Sequence, residues 1–135
     1  MATGSRDPQS WPKSLADYVG WEFVGERDGV FTARMEIRPE HIAPNGFLQA
    51  SVVIALADML CAHGTLDTIP AGAGFTTVEL KTNLIATALE GVVRCDATLQ
   101  HGGRTTQVWD ATATSEHTRR KIALFRCTQL VLHPQ

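Results

Sequence analysis

From Gln49 to about Leu66 the chain carries its one long helical pattern, and the centre of that segment, VVIALADMLCA, is apolar almost all the way round. A surface helix shows an apolar stripe, whereas a helix that is apolar on every side has to be covered on every side. The flanking sequence says what is available to cover it. Two strand-like runs come first, about Trp21–Glu26 and Val30–Ile37, joined by Arg27-Asp28-Gly29. Asp-Gly between apolar runs is a strong hairpin signal. Four further runs follow the helix. In Thr77–Leu84, Val78, Leu80 and Leu84 share one parity, and Thr77, Glu79, Lys81 and Asn83 the other. In Val92–His101 the apolar parity is Val93, Cys95, Ala97 and Leu99, and in Thr105–Thr114 it is Trp109, Ala111 and Ala113. Lys121–Leu132 alternates less cleanly but is rich in Ile, Leu, Phe and Val. Turns fall at Glu90-Gly91, Gly102-Gly103 and Ser115–Thr118, so the strands read as successive antiparallel hairpins. A flat sheet covers one side of a helix; only a strongly curved one wraps it. The expected class is α+β.

At 135 residues the chain is the size of one domain. The polar residues 1–10 read as a loose tail and 11–135 as the domain. Ser10-Trp11-Pro12 predicts a short helix, with Ser10 as its cap and Pro12 in its first turn, ending at Gly20. Arg38–Leu48, with Pro39, Pro44 and Asn45-Gly46, reads as loop, and Gly64 is expected to help end the long helix. The formal net charge is only −2, with no basic run, which argues against nucleic acid or an anionic membrane as the main partner. The apolar stretch Val52–Ala57, resuming at Met59–Ala62, falls short of the roughly 20 residues that span a bilayer. The first ten residues, MATGSRDPQS, show no apolar run of a secretory signal. Cys61, Cys95 and Cys127 lie far apart and form no CxxC, so a reducing, cytoplasmic setting is expected. His41, His63, His101, His117 and His133 have no ligand-like spacing and no Gly-x-Ser-x-Gly occurs. Neither a metal site nor a serine-hydrolase elbow is expected.

Asp58 is the most informative single residue, because it sits in mid-helix with apolar neighbours on both sides. An ionised carboxylate there costs several kcal/mol unless it is paired or reaches water. It is either a residue facing a solvent channel or structural partner, or a carboxylate held in a pocket as general base or nucleophile. The loop before the helix, Pro44-Asn45-Gly46-Phe47-Leu48, runs straight into Gln49-Ala50-Ser51. Free backbone N–H groups and the positive end of the helix dipole meet at such a start and suit an oxyanion or a polarised carbonyl. Nine residues separate Gln49 from Asp58, about 13 Å at the helical rise. If the two cooperate, they come from different chains of a two-fold dimer.

The pattern Gly46-x-x-Gln49-Ala50-Ser51, then Leu56-Ala57-Asp58, then Thr77-Val78-Glu79-Leu80-Lys81-x-Asn83 and Gly103-Arg104-Thr105 resembles the hotdog-fold acyl-CoA thioesterases. The resemblance is to the phenylacetic-acid-degradation and 4-hydroxybenzoyl-CoA thioesterase branch and covers about residues 20–132. It implies a long central helix wrapped by an antiparallel sheet, and thioester hydrolysis at a dimer interface. The family pattern before the helix is Gly-x-x-His-Gly-Gly; here Gln49-Ala50-Ser51 replaces the last three residues. The family's oxyanion donor, a backbone N–H, maps to Ala50, and it survives the loss of Gly where φ is negative. Gln49 keeps hydrogen-bonding capacity but has no titratable ring. Some relatives place an Asn where this chain has Ala43, with Asn45 nearby. Thr77 maps to a Ser or Thr that helps hold the attacking water; a strand Thr is equally at home there for its β propensity. Gly102-Gly103-Arg104 resembles the approach to the nucleotide end of coenzyme A, where Arg104 and Lys81 would pair with phosphates.

The expectation is therefore an acyl-CoA thioesterase, a homodimer or homotetramer needing no cofactor, because a thioester is already an activated electrophile. Ala50 polarises its carbonyl, Gln49 orients the acyl group or water, and Asp58 of the facing subunit activates water or attacks. Phe47, Leu48, Met59 and Leu60 are the expected acyl pocket, beside Asn45 and Gly46. Two rival readings share the fold: a dimer that holds acyl-CoA without turning it over, favoured by the missing His, and a hydratase or dehydratase.

Overall fold

The computed structural model describes residues 14–135; the expected tail and the cap at Ser10 with Pro12 lie outside the described residues. A first helix, α1, spans Leu15–Val19. Its cap is Ser14, whose N–H donates to the Asp17 carboxylate at 3.0 Å. Then come β1 (Trp21–Arg27), β2 (Val30–Glu36), a 3-10 turn at Pro39–His41, and α2 (Ala50–Thr68). Four strands complete the chain: β3 (Gly74–Leu84), β4 (Val92–Gly102), β5 (Thr106–Ser115) and β6 (Lys121–Leu132). The β1–β2 turn has positive φ at Asp28 and Gly29, 52° and 82°. That is the backbone a two-residue hairpin demands.

The strands form one antiparallel sheet in the order β1-β2-β4-β5-β6-β3, with α2 against its concave face. The core is the inward row of each strand: Phe31, Ala33 and Met35; Val93, Cys95 and Ala97; Trp109, Ala111 and Ala113; Phe125 and Cys127. Thus the fold is the α+β hotdog arrangement. At 19 residues, α2 is long and apolar enough to cross a bilayer by length and composition, a longer run than the sequence reading allowed. Its apolar side is instead spent on the sheet.

Two expectations need correction. The sheet buries one side of α2 (Val52, Val53, Leu56, Ala57, Leu60, Cys61, Gly64 and Thr65) but not the whole circumference. Ile54, Ala55, Asp58, Met59 and Ala62 stay half-exposed, and Leu66 is exposed. Nor does Gly64 end the helix. It lies inside α2, where an added Cβ would stand 2.5 Å from the Trp109 ring. Glycine is there for close approach, not termination.

The edge strand β3 also departs from its simple alternation. The register slips between Thr77 and Glu79, leaving Val78 as a bulge. Residues directly opposite on paired strands share a face. Thr77 opposes Gln129, and Leu80 opposes Cys127, both fully buried. Thr77 and Leu80 therefore look toward α2, whereas Glu79, Lys81 and Asn83 face the convex side. Parity alone had grouped Thr77 with Glu79 and Lys81; one extra residue reverses that.

Candidate active site

The start of α2 is held by a tightly bonded loop. His41 is fully buried. Its Nδ1 accepts the Arg38 N–H at 3.0 Å, and its Nε2 lies 2.8 Å from the Tyr18 carbonyl. The His41 carbonyl accepts the Gln49 N–H at 2.8 Å, and the Leu48 N–H donates to Thr87 Oγ1 at 3.0 Å. Between them Gly46 adopts φ 87° and Asn45 Oδ1 accepts the Phe47 N–H at 3.1 Å. Asn45 is thus occupied in making the turn.

This loop delivers Gln49 in extended backbone, φ −61° and ψ 123°, with an exposed side chain that does not cap the helix. Ala50 and Ser51 follow as the first two helical residues. Their N–H groups have no backbone partner among the described residues, as helix geometry requires at this end. Ala50 is not among the residues with positive φ, so a side chain at this position does not prevent its N–H from pointing outward. Two such donors at the positive end of a 19-residue helix are placed where an anionic oxygen is favoured.

Asp58 lies further along α2. Burial raises its pKa above the usual carboxylate range, and among the described residues no hydrogen bond or cation offsets that cost. Its direction follows from its neighbours. Cys61, one turn on, is fully buried beside Cys127 of β6. His63, on the other flank, stacks on Phe23 of β1 at 3.8 Å between centroids. Asp58 shares the row of Cys61, so it opens toward the β6–β3 edge, the edge that carries Thr77. The Thr77 hydroxyl is half-buried there and donates to Gln129 Oε1 at 2.6 Å. Burial pushes the Cys95 thiol up to about 12, and Cys61 is likewise raised by Cys127 and burial. These thiols stay protonated and are not nucleophiles.

A cleft of about 340 Å³ adjoins the loop, lined by Phe47, Leu48, Val53, Leu84–Thr87 and Ile122. Its lining is almost wholly apolar, and its size falls in the range of small-molecule pockets. Phe47 and Leu48 both line it. Met59 and Leu60 do not: Leu60 is fully buried against the sheet and Met59 packs beside the core. The stretch Leu84–Thr87 takes their place, unrecognised earlier because it trails off the end of β3. Lys81 and Arg104 are not brought together. Lys81 opposes Arg126 on the convex face, whereas exposed Arg104, whose carbonyl meets His133 at 2.7 Å, lies at the far end of β6. Two further residues that shape the site, His41 and Gln129, escaped sequence reasoning. Gln129 left one signal, a polar residue at an inward position of β6.

Comparison with known proteins agrees with this geometry. The chain is similar to a 1,4-dihydroxy-2-naphthoyl-CoA hydrolase of Listeria monocytogenes, at 28% identity over 84% of this chain and 92% of that protein. A mutant of a thioesterase from Staphylococcus aureus superposes with a TM-score of 0.82 at 25% identity, covering 87% of this chain and 98% of that one. A mutant thioesterase from Pseudomonas aeruginosa gives a TM-score of 0.83 at 26% identity, over 88% and 86% of the two chains. The model of the thioesterase superfamily matches residues 45–122, the span that holds the end of the loop, α2, β3, β4 and β5 and the first residues of β6. The chain belongs to the thioesterase superfamily, hotdog-fold enzymes that hydrolyse CoA thioesters.

Proposed function

We propose that this enzyme hydrolyses acyl-CoA thioesters of apolar acyl groups at sites shared between two protomers, with Asp58 as general base. The observation that carries this reading is the placement of Asp58. It is half-buried on the flank that bears Thr77, yet about 12 Å along the helix from the N–H of its own Ala50. A carboxylate kept at such cost needs a use, and a facing copy of the chain supplies the missing oxyanion donor. The exposed apolar residues of β3 and its continuation, Val78, Leu80, Leu84 and Ile85, offer that copy a surface.

In this reading the Ala50 N–H of one protomer holds the thioester carbonyl oxygen, and the acyl group lies in the cleft lined by Phe47, Leu48 and Leu84–Thr87. Gln49 orients the substrate from the rim. Asp58 of the other protomer takes a proton from a water held by Thr77, and the water oxygen bonds to the carbonyl carbon. The tetrahedral oxyanion collapses, the carbon–sulfur bond breaks, and the CoA thiolate leaves with the proton returned by Asp58. Such base catalysis is worth roughly 10²–10⁴-fold. Arg104 is the cation retained for the CoA phosphates; Lys81 faces away.

The test is thiol release from a panel of acetyl-, hexanoyl-, benzoyl-, phenylacetyl- and 1,4-dihydroxy-2-naphthoyl-CoA. Turnover of apolar acyl groups above acetyl is expected. Tight binding across the panel with no thiol release would replace the enzyme by a binding protein.

A further inference from the structure

Behind Thr77 lies a buried polar row that the reaction as written does not use. Thr77, Gln129 and Gln107 oppose one another across β3, β6 and β5, all on the face toward α2. Gln129 is fully buried and Gln107 nearly so. Gln107 is completely committed: its Oε1 accepts the Trp109 Nε1–H at 2.9 Å, and its Nε2 donates to Thr68 Oγ1 at 3.0 Å. An indole N–H only donates, which fixes which way the Gln107 amide points. Gln129, in contrast, has one partner. Its Oε1 receives the Thr77 hydroxyl at 2.6 Å, and its buried Nε2 has no hydrogen-bond partner among the described residues. An unsatisfied buried donor is costly, so an apolar residue would serve packing better. The amide is kept for its single bond.

We propose that Gln129 is a positioning residue that commits the Thr77 hydroxyl proton inward, so that the Thr77 oxygen can only accept. This rests on the hydrolytic reading above and deepens it. A hydroxyl has one proton and two lone pairs. With its proton held by Gln129, Thr77 accepts one hydrogen of the attacking water while Asp58 accepts the other. Both protons of the water are then directed to the protein, and its lone pair is left for the thioester carbon. Without Gln129 the hydroxyl rotates and donates to the water or to the Asp58 carboxylate, which turns the lone pair aside or weakens the base. The bulge at Val78 is the backbone device behind this arrangement, since it turns Thr77 onto the face of Gln129.

The test is a double-mutant cycle read as separate kcat and KM for the best panel substrate, with each variant's melting temperature recorded. Gln129→Met and Thr77→Val are each expected to lower kcat about 10-fold with KM within about two-fold, and the double variant should be no slower than Thr77→Val alone. Gln129→Glu gives a second route if Gln129→Met does not fold. Buried and protonated at pH 6, it keeps the acceptor and sacrifices only the Nε2 that has no partner, so kcat within about three-fold of the parent is expected. Multiplicative losses in the cycle, or a Gln129→Met enzyme with a lowered melting temperature and unchanged kcat, would overturn the proposal. So would a Gln129→Glu enzyme as slow as Thr77→Val. Failure of the underlying reading looks different: thiol release would then survive Asp58→Asn.

Discussion

Asp58 weakens the fold where it stands, and that makes its removal diagnostic. Asp58→Asn keeps size and hydrogen-bonding capacity but not charge. Turnover should fall at least about 100-fold while acyl-CoA binding survives. The sign of the stability change follows from burial raising its pKa. A carboxyl that binds its proton more tightly folded than unfolded costs nothing below the usual aspartate range. Stability is lost as pH rises from that range through the raised value. The Asn variant should therefore melt higher than the parent at neutral pH and level with it near pH 3. For the same reason the acidic limb of kcat/KM should lie above the ordinary aspartate range. A parent that outlasts Asp58→Asn at pH 7 would mark Asp58 as a paired structural residue. Gln49 is a milder case, because its side chain is exposed and caps nothing: Gln49→Ala should lose about 10-fold or less. Abolished thiol release in a folded Gln49→Ala enzyme would give this residue an essential role. The placement of Asp58 within α2 and of Gln49 and Ala50 at its start was legible in the sequence because the physics there is local: a charge in an apolar run, and a helix start after a Gly turn. Gln129 and His41 were not, since Gln129 bonds a residue 52 positions away and His41, beyond its local bond to Arg38, reaches one 23 positions away.

At the scale of elements, patterning served well wherever one face decided the strand. The limits of β6 were read as they stand, Lys121–Leu132, from its wealth of Ile, Leu, Phe and Val, and the other strands to within a few residues from their alternation against a single helix. Errors arose where a residue answered to something outside its own segment. The slip at Val78 belongs to the pairing of β3 with β6, so parity misplaced Thr77. Gly64 was read as a helix stop because glycine in a helix is usually a breaker. In the fold it is the slot that admits the Trp109 ring. Gly64→Ala sets two effects against each other. Helix propensity gains up to about 1 kcal/mol, whereas a Cβ at 2.5 Å from a ring buried on all sides overpacks the helix–sheet contact, typically at about 1–3 kcal/mol. Overpacking should win, because Trp109 is also tied by its N–H to Gln107 and cannot simply swing aside. A lower denaturation midpoint is expected; a higher one would show that the ring has room to move.

For the whole molecule, the shared site makes a prediction that no single protomer could satisfy. From the half-exposed apolar flank of α2 and the exposed apolar residues along β3, at least a dimer is the expected outcome of light scattering at micromolar concentration. The sharper test is complementation between two inactive variants. Ala50→Pro removes the oxyanion donor with little harm to the fold. Ala50 is the first helical residue, its N–H has no backbone partner, and the preceding Gln49 already has the extended backbone that a following proline demands. Asp58→Asn removes the base and leaves the helix start intact. Each homodimer should be nearly inactive, since every site lacks one half. Mixed, dissociated and reassociated at equal amounts, half of the dimers are hybrids. Each hybrid joins the intact Ala50 of one protomer to the intact Asp58 of the other at one site, while its second site lacks both. Thiol release should recover to about a quarter of the parent rate. If donor and carboxylate served the same site from one chain, no pairing of these two variants would assemble a complete site, and the mixture would stay as inactive as its parts.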